Sequence, residues 1–274
     1  MGRWQALLKD RNLLIRLVSA LVLIPLVLVD VYLGGWWFTG LIALVVLLSM
    51  REWARMITGD ASGWWFYSLI ALVFLVALGF GPNPNPVWSL LWVLKASVAG
   101  LVIAVMAKKP HLLALGVPYV LLPALAMLWL RGHEDGLRLI VFLFFVIWAT
   151  DTGAYLVGRI MGGPKLAPLI SPKKTWSGAV GGVVIAGMTG LVVALIYRTE
   201  LPMVAFGIAM AISVIGQGGD LLESGIKRHY AVKDSGGSIP GHGGILDRID
   251  GLITASIGLA LFHAVLMGLG YDWW

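Results

Sequence analysis

The chain has 274 residues, of which 59% are hydrophobic and 12% are charged. Soluble domains carry about a quarter charged residues, so this composition excludes a soluble enzyme, a disordered tail and a nucleic-acid-binding module. The net charge of +6 is explained by membrane topology and by attraction to anionic membrane lipids, and it predicts no nucleic-acid partner. The sequence therefore predicts an integral membrane protein. It contains no cysteine, which excludes disulfides and thiolate chemistry.

Nine apolar runs have about the 20 residues that a helix needs to cross the hydrocarbon core. In chain order they cover residues 15–34, 36–54, 63–81, 87–107, 112–130, 137–158, 178–197, 201–219 and 250–270. Their residues are apolar on every side, unlike the alternating strands of a transmembrane barrel. The predicted fold is therefore all-α, a polytopic transmembrane helical bundle of about nine spans. An even number of spans would need a re-entrant segment, for which the short eighth run is the candidate.

Tryptophans near the proposed span ends are typical of anchors at the membrane surface. They are Trp36, Trp37, Trp64, Trp65, Trp88, Trp129, Trp176, Trp273 and Trp274. We therefore expect these residues to bind lipid headgroup regions and not a ligand.

Basic residues are distributed unequally between the two sides of this bundle. Of the 20 Lys and Arg, Lys95 lies inside the fourth span, sixteen fall on the side of the N-terminus, and three fall on the other side. Because Lys and Arg are retained in the cytoplasm, this count predicts nine crossings of the cell inner membrane. The N-terminus is then cytoplasmic and the C-terminus is outside.

Two long polar stretches, 159–177 and 218–249, both lie on the predicted cytoplasmic side. Six of the fourteen acidic residues lie in or beside them: Asp151, Asp220, Glu223, Asp234, Asp247 and Asp250. A carboxylate at membrane depth is costly unless it faces a polar cavity or a cation, although pairing with a nearby Lys or Arg also explains an isolated one. Residues 247 and 250 share a helix face if the ninth helix starts near Ile245. Asp220, Glu223, Ser224 and Lys227 share another if the eighth helix continues past Gly219.

Acidic groups on neighbouring helices repel each other unless a cation lies between them. Mg²⁺ prefers oxygen ligands and is commonly held by one or two carboxylates together with substrate phosphates. Zinc is disfavoured, because His242 has no second histidine at ligand spacing. Gly243 and Gly244 precede a helix start, where backbone N–H groups and the helix dipole attract phosphate. A flexible turn would explain this glycine pair equally well.

The string SGIKRHYAVKDSGGSIPGHGGILDRID, from Ser224 to Asp250, is more specific. It closely resembles the signature of the CDP-diacylglycerol synthase family, also called phosphatidate cytidylyltransferases. The matching positions are Ser224, Lys227, Arg228, Lys233, Asp234, Pro240, His242, Gly243, Gly244, Asp247, Arg248 and Asp250. Residues 148–182 and 217–220 also look like the family. The first part of the chain resembles it only as a membrane bundle with a Glu52–Trp53 pair, so we divide the chain into N-terminal membrane helices, 1–147, and a catalytic membrane region, 148–274.

The resemblance implies a Mg²⁺-dependent reaction of CTP with phosphatidic acid, which forms CDP-diacylglycerol and pyrophosphate at the cytoplasmic face. Such a reaction requires that mutually repelling phosphates be positioned and neutralised. Catalytic roles are predicted for Asp220, Asp247, Asp250, His242, Lys227 and Arg248. Metal ligands are predicted to be Asp220, Asp247 and Asp250, with Asp151 and Asp234 as further ligands or their partners. This surplus of carboxylates also fits a second cation.

Substrate binding is predicted for a set of polar, basic and glycine residues within the two polar stretches. They are Ser171, Lys173, Lys174, Thr175, Ser224, Arg228, Lys233, Gly243 and Gly244. Retention of the loops in the cytoplasm explains about half of the basic residues without any substrate, and Thr175 also suits a helix N-cap.

Other classes of membrane protein remain alternatives at this stage. A lipid or polyprenol kinase that uses CTP differs only in which phosphorus is attacked. A CDP-alcohol phosphotransferase places its final two Asp four residues apart, whereas Asp247 and Asp250 are three apart. A transporter would place more charge at mid-membrane than Lys95. A structural scaffold leaves the acidic cluster unexplained, and the sequence is compatible with a homodimer.

Overall fold

The computed structural model describes residues 11–239 and 243–274, with side chains from residue 21 onward. This part of the chain forms nine α-helices and one β-hairpin. The helices are α1 (Arg11–Leu33), α2 (Gly35–Thr58), α3 (Trp64–Phe80), α4 (Pro86–Met106), α5 (Leu112–Arg131), α6 (Gly136–Met161), α7 (Trp176–Tyr197), α8 (Pro202–His229) and α9 (Leu246–Gly268). The strands β1 (Lys165–Ala167) and β2 (Ser171–Thr175) lie between α6 and α7.

Each predicted span corresponds to one helix, so the helical bundle is confirmed. The hairpin corrects the purely helical prediction: β1 and β2 pair antiparallel, with Lys165 opposite Thr175 and Ala167 opposite Ser171. This segment is polar and contains Pro164, Pro168 and Pro172, and proline disrupts helix interiors. A short β-hairpin instead pairs the backbone N–H and C=O groups of this segment.

Six of the helices in the described part of the chain are long and apolar enough to cross a membrane by length and composition. They are α4, α5, α6, α7, α8 and α9. The segments Leu21–Leu33 and Trp64–Phe80 are apolar but shorter. The eighth apolar run, 201–219, is short, but helix α8 that contains it has 28 residues and is the longest of the described helices.

Helix α5 lies at the centre of the bundle and packs against α2, α3, α4, α6 and α9. Leu113, Leu121 and Leu128 on this helix are almost completely buried. Their spacing of about two helical turns places them on one side, as expected for a helix that packs through an apolar stripe. Helix α5 therefore connects the early helices to the later ones.

Helices α6 and α7 approach closely through glycines. A Cβ atom added to Gly178 on α7 would lie 2.6 Å from the carbonyl oxygen of Ala154 on α6. At the crossing of α8 and α9, a Cβ atom on Gly219 would lie 2.2 Å from Thr254 Oγ1. Small residues allow membrane helices to pack at short distance, and these two crossings bring the predicted acidic and basic groups together.

The tryptophan prediction is only partly correct. Trp36, Trp37, Trp64, Trp88 and Trp176 are exposed, as anchors at the membrane surface should be. Trp65, Trp273 and Trp274 are instead buried. The last two pack edge-to-face with Phe142 of α6, so they contribute to the core.

Candidate functional site

The predicted site residues gather at one end of the bundle. There the last turns of α2, α6 and α8 meet the first turns of α5, α7 and α9, together with the hairpin and the loop before α9. Because α8 continues to residue 229 and α9 begins at residue 246, the two expected stripes of polar residues both form. The helical register therefore brings two distant parts of the sequence signature to a single location.

Lys227 lies between two carboxylates. Its Nζ atom is 3.2 Å from Glu223 Oε1 and 2.7 Å from Asp247 Oδ1. Tyr119 of α5 donates a hydrogen bond of 3.1 Å to the other oxygen of Glu223. Glu223 is fully buried and Lys227 is nearly so. At this point the repulsion between acidic groups is offset by an ammonium group of the chain itself.

Asp247 is held on its other side by the loop that precedes α9. Its Oδ2 atom accepts hydrogen bonds from Ser235 N at 2.9 Å, Ser235 Oγ at 3.0 Å and Gly244 N at 3.0 Å. Together with Lys227, these donors engage both oxygens of the carboxylate. Asp247 therefore connects the loop to α8.

A second pair of opposite charges joins the hairpin to α8. Lys174 Nζ forms a short ion pair with Asp220 Oδ2, and Ser224 Oγ donates to Asp220 Oδ1 at 3.3 Å. Both charged side chains are partly accessible, at 30% for Lys174 and 28% for Asp220. An accessible ammonium beside an accessible carboxylate can contact both a phosphate and a cation.

Asp151 of α6 and Asp250 of α9 each interact electrostatically with Asp220. Lys174 and Arg248 offset part of the negative charge at Asp151. Asp250 accepts a hydrogen bond of 2.8 Å from the neighbouring Gly251 N–H. Three carboxylates from three helices thus face the same region.

The other predicted substrate-binding residues lie around this region. Ser171 begins β2, and Lys173 is exposed. Thr175 is the N-cap of α7, accepting a hydrogen bond of 3.2 Å from Gly178 N, so the capping alternative is confirmed. Arg228 donates to the carbonyl oxygens of Ile170 and Val232.

The loop before α9 contains the remaining predicted residues. Lys233 and Asp234 are exposed. Gly243 has a φ of 86°, which favours glycine, and its carbonyl accepts a hydrogen bond from Ile239 N. The N–H of Gly244 donates to Asp247. His242 lies outside the described residues.

The side chains at this site suit Mg²⁺ that is shared with substrate. Within the described ranges, no group of three or more His, Asp or Glu side chains could hold a metal ion by itself. Asp151, Asp220 and Asp250, which lie on three different helices, nevertheless supply hard oxygen donors. One or two carboxylates plus phosphate oxygens are a common arrangement for Mg²⁺.

Three residues of the network were not predicted from the sequence: Glu52, Tyr119 and Ser235. Glu52 Oε1 accepts a hydrogen bond from Ile245 N, and its Oε2 accepts from Leu246 N and Ser235 Oγ, each at 3.0 Å. A signal for Glu52 existed, since it is an acidic residue that follows an apolar run. Tyr119 lies in an apolar helix and gave no signal.

Comparison with known proteins identifies relatives and a family for the chain. The chain is 49% identical over 153 residues to the phosphatidate cytidylyltransferase of Brucella suis biovar 1 (strain 1330), covering 56% of this chain and 57% of that protein. It is 46% identical over 127 residues to the phosphatidate cytidylyltransferase of Staphylococcus aureus (strain COL), covering 45% of this chain and 48% of that protein. The chain thus matches about half the length of these relatives. A model of the cytidylyltransferase family matches residues 14–266, nearly the whole chain. The chain therefore belongs to the cytidylyltransferase family.

Proposed function

We propose that this protein is a phosphatidate cytidylyltransferase, which condenses CTP with phosphatidic acid to form CDP-diacylglycerol and pyrophosphate. The observation that carries the proposal is the pair of Lys–Asp contacts, Lys174–Asp220 and Lys227–Asp247, at one end of an apolar helical bundle. The accessible Lys174–Asp220 pair provides an ammonium group for a phosphate and a carboxylate for a cation. The buried Lys227–Asp247 pair fixes the charges next to it. The relatives named above carry the same activity in their names.

The reaction is a displacement at phosphorus. A phosphate oxygen of phosphatidic acid forms a bond to the α-phosphorus of CTP, the bond from that phosphorus to the bridging oxygen breaks, and pyrophosphate leaves with the electron pair. Positioning and charge neutralisation account for most of the catalysis in such a transfer. Lys174 is accessible for contact with a phosphate. Arg228 and Arg248 lie nearby, and a guanidinium can bind phosphate through two parallel hydrogen bonds.

Asp220 and Asp250, with Asp151 beside them, are the residues that would hold Mg²⁺. When bound, Mg²⁺ would neutralise negative charge on the substrate phosphates. Asp247 contacts Lys227 and the loop before α9. In this proposal it holds Lys227 in place and adds to the negative charge of the site. Asp234 and a second cation belong to the same proposal, as does His242 as a donor to phosphate or an acid for the leaving group.

The site is proposed to face the cytoplasm from a nine-span bundle in the inner membrane. If successive helices cross the membrane in opposite directions, the C-terminal ends of α2, α6 and α8 lie on the same side as the N-terminal ends of α5, α7 and α9. The site is built from these helix ends. That side carries most of the basic residues, as the cytoplasmic side of a membrane protein should. CTP is water-soluble, so this orientation gives both substrates access.

The position of a radiolabel tests the reaction. Purified protein is incubated with phosphatidic acid and CTP labelled on either the α- or the γ-phosphate, with and without EDTA. We expect label from the α-phosphate in the lipid product and label from the γ-phosphate in pyrophosphate, and no product with EDTA. Label from the γ-phosphate in the lipid would show a kinase and contradict the proposal.

A further inference from the structure

Glu52 is a buried carboxylate whose contacts lie far away in the sequence. It is 2% exposed, near the end of α2, yet it accepts hydrogen bonds from the backbone of residues 245 and 246 at the start of α9. The donors to Glu52 are two backbone N–H groups and the Ser235 hydroxyl, all of them neutral. Burying a carboxylate is costly unless it is hydrogen-bonded, and the positive end of the α9 dipole adds to its stabilisation.

The loop before α9 is shaped around this carboxylate. A Cβ atom on Gly244 would lie 2.6 Å from Glu52 Oε2 and 2.0 Å from Ser235 Oγ. A Cβ atom on Gly236 would lie 2.8 Å from Glu52 Cγ. Gly236 and Gly244 therefore have a role that involves no phosphate: without side chains, they allow the loop to pack closely against Glu52.

Ser235 connects Glu52 to the charged residues of the site. Its hydroxyl oxygen is 3.0 Å from Glu52 Oε2 and 3.0 Å from Asp247 Oδ2, so the two carboxylates share its single proton. Asp247 in turn contacts Lys227. A continuous series of contacts thus runs from α2, through the loop and α9, to α8.

We propose that Glu52 is a positioning residue. By holding the loop and the first turn of α9, it fixes Asp247 and, through it, Lys227, so that the charges of the site are arranged before substrate binds. Its effect on turnover rests on the proposed function, whereas its effect on the loop does not. The N-terminal part of the chain then contributes to the arrangement of the catalytic charges in addition to membrane anchoring.

Glu52→Gln tests this role with little change in volume. Glu52 receives three donors on two oxygens, whereas glutamine has one acceptor oxygen and an NH₂ group that must face at least one donor. Glu200→Gln is the matched control, because Glu200 is an exposed acid in the loop between α7 and α8. Both variants are made in the full-length protein in detergent.

Hydrogen–deuterium exchange measures how often the loop and the start of α9 open. We expect the amides of residues 243–247 to exchange at least about tenfold faster in Glu52→Gln and at the wild-type rate in Glu200→Gln, because exchange follows local opening. Unchanged exchange in Glu52→Gln would overturn the proposal. This measurement requires no activity, so it is independent of whether the reaction has been identified correctly.

Kinetics separate positioning from simple support of the fold. We expect kcat to fall about tenfold or more in Glu52→Gln while the KM for CTP changes far less, since Glu52 is buried and therefore inaccessible to CTP. Ser235→Ala should have a smaller effect, and the double variant should be no worse than Glu52→Gln, because both changes interrupt one series of contacts. If Glu52→Gln does not fold, Ser235→Ala carries the same test. Faster exchange with unchanged kcat in the folded variants would overturn the positioning role.

Discussion

At the scale of single residues, the structure separates neighbours that look alike in the sequence. Lys173 and Lys174 are adjacent and equally basic, yet Lys173 is exposed and Lys174 contacts Asp220. Alternation along β2 explains the difference, because successive side chains of a strand point to opposite faces. In the proposed orientation both lysines contribute equally to retaining the loop in the cytoplasm, whereas only Lys174 contacts the acidic cluster.

Replacing each lysine with glutamine separates these two roles. Both variants lose one positive charge from the same loop, so membrane insertion should be equally affected. We expect Lys174→Gln to lower kcat/KM by about tenfold or more, since a charge-assisted hydrogen bond contributes roughly 1.5–3 kcal/mol. Lys173→Gln should stay within about twofold of wild type. Equal losses in the two variants would indicate that only loop charge matters.

Asp250 offers the cleanest test of the acidic cluster. Asp247 is engaged by Lys227 and by three donors, so its substitution would also disturb the loop. Asp250 instead accepts a hydrogen bond from the N–H of Gly251 in its own helix. Asp250→Asn preserves volume and removes the charge. We expect turnover to fall by about a hundredfold or more while the melting temperature stays near that of wild type, because in the proposed function the lost charge helps to hold the Mg²⁺ that neutralises the substrate phosphates. Near-normal turnover at saturating Mg²⁺ would remove Asp250 from the site.

At the scale of elements, helix crossings decide where the charges lie. Asp151 is on α6, whereas Lys174 immediately precedes α7, so their separation depends on how closely these helices pack. The close approach at Gly178 sets that distance, because the facing atom is a backbone oxygen that cannot rotate away. An uncharged residue, Gly178, thus affects the distance between two charged groups of the site.

Gly178→Ala should therefore be harmful although alanine favours helices. We expect a lower melting temperature and reduced activity, since the added methyl group must push α6 and α7 apart. Gly207→Ala in α8 is the control, because a Cβ atom there has no neighbour within 4 Å, and alanine should stabilise that helix by about 0.5–1 kcal/mol. Thermal unfolding in detergent and turnover measure both effects. Equal behaviour of the two variants would contradict the proposed close packing.

At the scale of the whole molecule, the two parts of the chain share one site. Glu52 and Tyr119 come from the N-terminal membrane helices, and they contact the loop before α9 and Glu223 of α8. Helix α5 packs against helices on both sides of the boundary at residue 147. The division into residues 1–147 and 148–274 stays a prediction.

Single cysteines test the orientation of the bundle, because the chain contains no other thiol. Ser238 lies in the loop before α9 and Asp272 follows that helix. Both are exposed, so each suits labelling by a membrane-impermeant maleimide. In intact cells we expect Asp272→Cys to be labelled and Ser238→Cys to be protected. After permeabilisation both should react. Labelling of Ser238→Cys in intact cells would show that the site faces outward.

The sequence by itself determined the class of protein, the number and approximate bounds of the helices, and most of the acidic and basic site residues. These are local properties: the length of an apolar run decides whether it can span a membrane, and the signature string lies within 27 residues. Even the extension of α8 past Gly219 could be anticipated, because Asp220, Glu223 and Lys227 recur at helical spacing.

Only the tertiary structure decided which charges meet. Lys174 contacts Asp220 across 46 residues, Tyr119 contacts Glu223 across 104, and Glu52 contacts Ile245 across 193. Pairings over such separations depend on how helices cross, and those crossings are set by glycines whose local sequence carries no sign of a partner. The same reason explains why the contact of Gly244 with Glu52 and Ser235 could not be predicted from the glycine pair itself.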